Sequence, residues 1–151
     1  MRQVVKILPN RALYRVNLAL YANYSGDFDT GDQEARAAQD QSPWSWQALA
    51  LSQTGQGQVA QATQSYEHLG SVEEVGPSYA ASGLGDLATY QGRFADAVRI
   101  LEQGAADDLK DGNGDRAANK FAALAFAQLL RQQRGPAAEA AEQALAHSQA
   151  V

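Results

Sequence analysis

Four glycines punctuate this chain in the same way. Each closes a helical stretch, one residue intervenes, and a second stretch begins. The turns are Gly26-Asp27-Phe28, Gly57-Gln58-Val59, Gly92-Arg93-Phe94 and Gly135-Pro136-Ala137, with glycines 31, 35 and 43 residues apart. Recurrence at about 34 residues marks a helical repeat array. A unit of that size cannot bury its own apolar face, so neighbours stack and share a core. Such stacking is expected to yield a curved binding surface rather than a catalytic pocket.

Reading outward from each turn predicts eight helices in four pairs. The first pair runs Ala12 to Tyr24 and Phe28 to Asp40, the second Trp44 to Gln53 and Gln58 to Leu69. The third runs Ser78 to Tyr90 and Phe94 to Leu109, the fourth Asp115 to Gln133 and Pro136 to Ser148. On the first helix, Leu13, Val16 and Leu20 share one face, and Tyr14, Leu18 and Tyr21 the adjoining one. Two apolar faces suit an inner helix with neighbours on two sides. Ser42-Pro43 and Gly76-Pro77-Ser78 read as helix starts, since serine caps free N–H groups and proline at the first position has none to waste. The polar run Asp111-Gly112-Asn113-Gly114-Asp115 reads as an inserted linker behind the 43-residue step, with Asp115 as a cap.

Composition agrees with an all-α chain: alanine, glutamine and leucine are abundant, and β-branched residues are few. Cysteine is absent, which excludes disulfides and thiolate chemistry. No apolar run is long enough for a membrane span, and no signal core follows the N-terminus. The reading is a soluble chain without a membrane partner, cytoplasmic, with the periplasm equally compatible. The net charge of −5 is unevenly placed. Between Ala37 and Gly92 there is no Lys or Arg, while Asp40, Glu67, Glu73, Glu74 and Asp86 lie there. Nucleic acid needs a basic stripe, so it is excluded as a partner. The acids are solvated helix faces, or else they favour a basic partner.

Residues at fixed offsets from the glycines identify the unit. The second pair shows Trp46, Leu49-Ala50, Gln53, Gly57, Val59, Ala62, Tyr66 and Leu69. The third shows Ala81, Leu84-Gly85, Ala88, Gly92, Phe94, Ala97, Leu101 and Gly104. This resembles the tetratricopeptide repeat, with its W-x₂-L-G-x₂-Y, A-x₃-F and closing proline. The outer units match in part. The first has Leu18-Ala19, Phe28 and Pro43, with Gly31 where an alanine is usual. The last has Ala127, Gly135, Ala137, Ala140 and Ala144. Pro9 stands where a preceding unit's closing proline would lie, so residues 1–11 read as the end of an earlier repeat and residues 12–151 as the repeat domain. The expectation is a segment of a longer array. The run Leu84 to Leu109 also looks like repeat regions that follow kinase domains in bacterial serine/threonine kinases.

The resemblance implies a right-handed α-solenoid of about four units, non-catalytic and without cofactors, binding a protein or peptide on its concave face. Inward-pointing positions on the first helices would carry that role: Leu13, Val16, Leu20 and Asn23, then Trp44, Gln47, Leu51 and Thr54. They continue as Tyr79, Ser82, Asp86 and Thr89, then Ala122, Ala125, Leu129 and Gln132. Trp44 and Tyr79 offer the largest contact area, or else they pack against neighbouring helices. One subclass of the family grips a peptide's terminal carboxylate with inward Lys, Arg and Asn. Those positions here hold Val16, Leu20, Gln47, Leu51, Ser82 and Asp86, so an apolar segment is the expected ligand. Two alternatives stand beside this reading: a regulatory region of a larger signalling protein, or a homo-oligomer joined through exposed end repeats.

Other chemistry finds no support. Asp111, Asn113 and Asp115 alternate like calcium ligands, but Arg116 replaces the turn glycine and Ala122 the bidentate glutamate. His68 and His147 lack a second ligand at helical spacing. No Ser, His and carboxylate set reads as catalytic, and no glycine turn is followed by a phosphate-binding lysine.

Overall fold

A computed structural model describes residues 1–39, 42–72 and 75–148. Asp40, Glu73 and Glu74, three of the central acids, lie outside the described residues, as does the expected end of the helix that starts at Phe28. Among the described residues the chain forms nine helices and no strand. They are α1 (Arg2–Ile7), α2 (Ala12–Tyr24), α3 (Phe28–Arg36), α4 (Trp44–Gly55), α5 (Val59–Gly70), α6 (Gly76–Tyr90), α7 (Phe94–Lys110), α8 (Gly114–Leu130) and α9 (Arg134–His147). Consecutive helices pack on one another from α1 to α5 and from α7 to α9, and the chain divides into two compact units, Met1–Gly76 and Pro77–Val151. Among the described residues, no helix is long and apolar enough to cross a membrane.

One joint recurs five times. The residue before the next helix donates its N–H back to the carbonyl five residues earlier: Asp27 to Ala22, Gln58 to Gln53, Arg93 to Ala88, Asn113 to Asp108 and Gln133 to Gln128, at 2.7–2.9 Å. The residue preceding it donates to the carbonyl three residues back, as Gly57 does to Thr54. Together these bonds satisfy the last free carbonyls of each helix, and they require a left-handed residue at the hinge. That residue is Gly26, Gly57, Gly92, Gly112 and, in the fifth joint, Gln132 with φ 62°.

The fifth joint corrects the sequence reading. Gly135 does not form the last turn but lies inside α9, followed by Pro136. Gln132 takes the hinge instead, because the two backbone bonds outweigh the cost of about 1–2 kcal/mol that an L-residue meets there. Nor is the stretch around Gly112 an inserted linker. It is another copy of the joint, so the apparent 43-residue step is two steps of 20, from Gly92 to Gly112 and from Gly112 to Gln132. Gly114 opens α8, with Asp115 in the first turn rather than at the cap. Ser42 also differs: its carbonyl, not its hydroxyl, is engaged, accepting from the Ser45 hydroxyl at 2.6 Å. At α3 a side-chain cap is present, and the Asp27 carboxylate accepts from the Thr30 N–H.

In unit one, Ala19, Ala35, Ala48 and Leu49 form a core cluster, with Leu20 and Trp46 packed against it. Small side chains dominate because three helices meet there. Gly31 shows how close they come. A Cβ at that position would collide with the Asn23 side-chain amide and the Ser52 hydroxyl. Asn23 fills the space an alanine methyl would take, donating to the Ala48 carbonyl at 2.8 Å and accepting from Ser52 Oγ at 2.8 Å.

Unit two gathers Ala88, Ala97, Val98, Leu101, Leu124, Ala127 and Ala140 in one cluster, flanked by Phe121. Burying a leucine such as Leu101 fully contributes about 2 kcal/mol. Beside this cluster runs a charged contact. Lys120 Nζ sits 2.5 Å from the Asp108 carboxylate and 2.9 Å from Ser78 Oγ, with both ionic side chains almost fully buried. Gly104 makes room for the lysine stem, since a Cβ there would touch Lys120 Cε.

Candidate functional site

In each unit the first helices of successive pairs are neighbours. In unit one, α2 packs directly on α4 as well as on α3. In unit two, α6 meets α8 through the Lys120 to Ser78 hydrogen bond and through Arg116, whose guanidinium lies 5.5 Å from the centre of the Tyr79 ring. The expected partner-binding positions therefore fall on adjacent helices within each unit.

Their exposure differs widely. Leu13 is 65% exposed and Leu129 is 56% exposed, so both present apolar surface. Leu20, Trp44, Gln47, Leu51, Tyr79 and Ser82 are half-buried. Ser82 turns its hydroxyl back to its own helix at the Ser78 carbonyl. Asp86 is exposed on α6, yet desolvation by crowding neighbours raises its carboxyl above the usual carboxylate range. Val16 is 4% exposed and Asn23 7%, and both work inside unit one rather than on its surface. Asn23 is consumed by the hydrogen bonds that lock α2 to α4.

The shifted fifth joint moves the register of α8. Counting back from Gln132 as from the glycines, the positions matching Leu20 and Asn23 are Phe126 and Leu129, not Leu129 and Gln132. Phe126 is 57% exposed. With Leu129 and Leu130 it forms an apolar row at helical spacing on the last two turns of α8. No glycine marks that hinge, so Phe126 was not reached from the sequence.

Both histidines lie against aromatic rings, His68 tilted and His147 stacked. His68 lies on Trp46 with ring centroids 3.9 Å apart, and His147 lies on Phe121 at 5.9 Å. Trp46 and Phe121 occupy the same offset, eleven residues before Gly57 and Gln132. Asp111 and Asn113 belong to the fourth joint, where Asn113 donates to the Asp108 carbonyl. Among the described residues, no three His, Asp or Glu side chains gather as a metal site.

The arrangement offers contact surface: Leu13 on α2 in unit one, and Phe126, Leu129 and Leu130 on α8 in unit two, present exposed apolar side chains. No protein-family model matches the chain, and no curated protein matches it.

Proposed function

We propose that this chain is a non-catalytic interaction scaffold of the tetratricopeptide-like kind, an α-solenoid that receives an apolar protein segment on its first-helix faces. The observation that carries this reading is the repeated joint, which sets each first helix in the same register. Its support comes from Leu13 on α2 and from Phe126 and Leu129 on α8, apolar residues left exposed on a first helix of each unit. Aliphatic and aromatic side chains held on rigid helices bind at low entropic cost, and an amphipathic helix is the segment that such a face suits. Trp44 and Leu51 extend the surface in unit one. Tyr79 adds a ring edge in unit two, because Arg116 covers one of its faces.

Selection of short peptides from a random displayed library tests the reading. Enriched sequences should carry apolar residues at helical spacing and should lose binding to Leu13→Ser or Phe126→Ser variants. Failure to enrich any sequence, or equal binding by both variants, would overturn it.

A second reading rests on one observation. Phe126, Leu129 and Leu130 on α8, and Leu145, 76% exposed on α9, leave apolar side chains exposed on two helices of the second unit. Self-association through that surface would appear as a dimer in sedimentation equilibrium, dispersed by Phe126→Ser.

A further inference from the structure

We propose that the segment received by unit two is a basic helix, whose Lys or Arg pairs with Asp86 while an apolar residue two turns away packs on Phe126. This rests on the scaffold reading above and names what the partner must carry. Asp86 stands six residues before the Gly92 hinge, as Leu20, Leu51 and Phe126 stand six before Gly26, Gly57 and Gln132. One carboxylate thus takes the place of an apolar side chain in the row.

Packing within unit two sets that carboxylate beside Phe126. Helices α6 and α8 meet through Ser78 and Lys120, 42 apart in sequence, and through Tyr79 and Arg116, 37 apart. Asp86 and Phe126 are 40 apart, so they share this register about two turns further along. Both helices run the same way, because α7 reverses the chain between them. Packed helices lie about 8–10 Å apart. A bound helix crossing the two covers that distance in about six or seven residues, at 1.5 Å each, and residues seven apart share one face.

Among the described residues, nothing answers the charge of Asp86. It is the one charged residue of α6, which has no Lys or Arg. Ser82 and Thr89, one turn to either side, donate their hydroxyls to the Ser78 and Gly85 carbonyls at 3.4 and 2.9 Å. On α8, Arg116 lies on the Tyr79 ring, two turns back, and Lys120 is held by Asp108. From Phe121 to Leu130 that helix carries no charge. Asp86 accordingly has neither a hydrogen bond nor an ion pair with any described residue.

That isolation decides the sign of the partner. Crowding strips part of the hydration from the carboxylate, which raises its proton affinity, and no donor or cation offsets the loss. The residue still reaches the surface, where a ligand can meet it. A purely apolar helix seated on Phe126 would cover Asp86 and bury an unpaired charge, and an acidic one would add repulsion. A Lys or Arg replaces the lost hydration with an ion pair.

The test runs two selections in parallel from a displayed library of random peptides of about 16 residues, long enough as helices to cross α6 and α8. One uses the parent chain and the other Asp86→Asn. Both pools should be rich in apolar residues at helical spacing, and the parent's pool alone should hold a Lys or Arg about seven residues from an apolar anchor. A synthetic peptide from that pool, with the basic residue changed to Gln, should bind the parent about two- to fivefold more weakly, while Asp86→Asn should bind the two peptides alike. Moving the basic residue to the peptide's opposite face should cost as much as removing it, which separates this pair from the general pull of an acidic chain. Apolar pools without a basic preference, or a preference that Asp86→Asn retains, would overturn the pairing and leave the scaffold reading standing. No enrichment on either chain would overturn both.

Discussion

Lys120 and Asp108, twelve residues apart in sequence, form an ion pair with almost no contact with water, joined at 2.5 Å between α8 and α7. Neither partner can be removed alone without stranding the other's charge. Lys120→Met should therefore destabilise the chain by about 3–5 kcal/mol, whereas Lys120→Met with Asp108→Leu should recover most of that loss. Urea denaturation of the single and double variants measures both. A single variant within experimental error of the parent would show that the pair is not desolvated in solution.

The fifth joint gives a prediction of opposite sign. Gln132 occupies a left-handed backbone position that four glycines fill elsewhere. Gln132→Gly should raise stability by about 0.5–1 kcal/mol, and Gly57→Ala should lower it by a similar amount or more. Thermal melts of the two variants should shift in opposite directions. A melting temperature lowered by Gln132→Gly would contradict the assigned hinge.

Asn23 and Gly31 are coupled by space. Gly31→Ala alone should cost about 1–3 kcal/mol, because its methyl displaces the Asn23 amide from the Ala48 carbonyl and Ser52 hydroxyl. Made together with Asn23→Ala, the same methyl enters vacated room. The double variant should then be more stable than the summed single losses imply. A double-mutant cycle reads this directly, and strict additivity would mean that the two side chains do not share the site.

Asp27 links the start of α3 to pH. Hydrogen bonds from the Thr30 side chain and backbone hold its carboxyl below the ordinary range, and the Arg2 guanidinium adds to the effect. The depressed value means the folded state favours the ionised form. Its stabilisation is present above the unfolded carboxylate pKa and fades as pH falls through the folded one. Asp27→Asn keeps a capping oxygen but does not titrate, so the gap between parent and variant should close with acidification. Denaturation midpoints across acidic pH, at low and high salt, follow the change. A gap that is constant with pH would remove the charge from the account.

How far these features could be read from sequence depends on what marks them. The first three joints announce themselves because glycine is the residue that most readily takes a left-handed hinge, and the helices beside them begin within a few residues of their expected starts. The last joint is silent, since glutamine at such a position leaves no trace, while Gly135-Pro136 imitates the motif three residues further on. That displacement hid Phe126 and advanced Leu129 by one position in the unit. Gly31 looked like a defect in the repeat, and its reason is Asn23, a partner on another helix. The Lys120 to Asp108 pair could not be read either. Each residue alone suits an exposed helix face, and only packing brings the two charges together.

The even spacing of joints in the second unit limits how its length can change. With hinges 20 residues apart, the removal of one step would delete a single helix and leave every cap intact. Successive helices run in opposite directions, however, so all that follows would enter the stack upside down, its apolar rows turned to water. Loss or gain of about 40 residues restores the direction. In this unit, deletions and duplications that the fold can absorb should come as helix pairs.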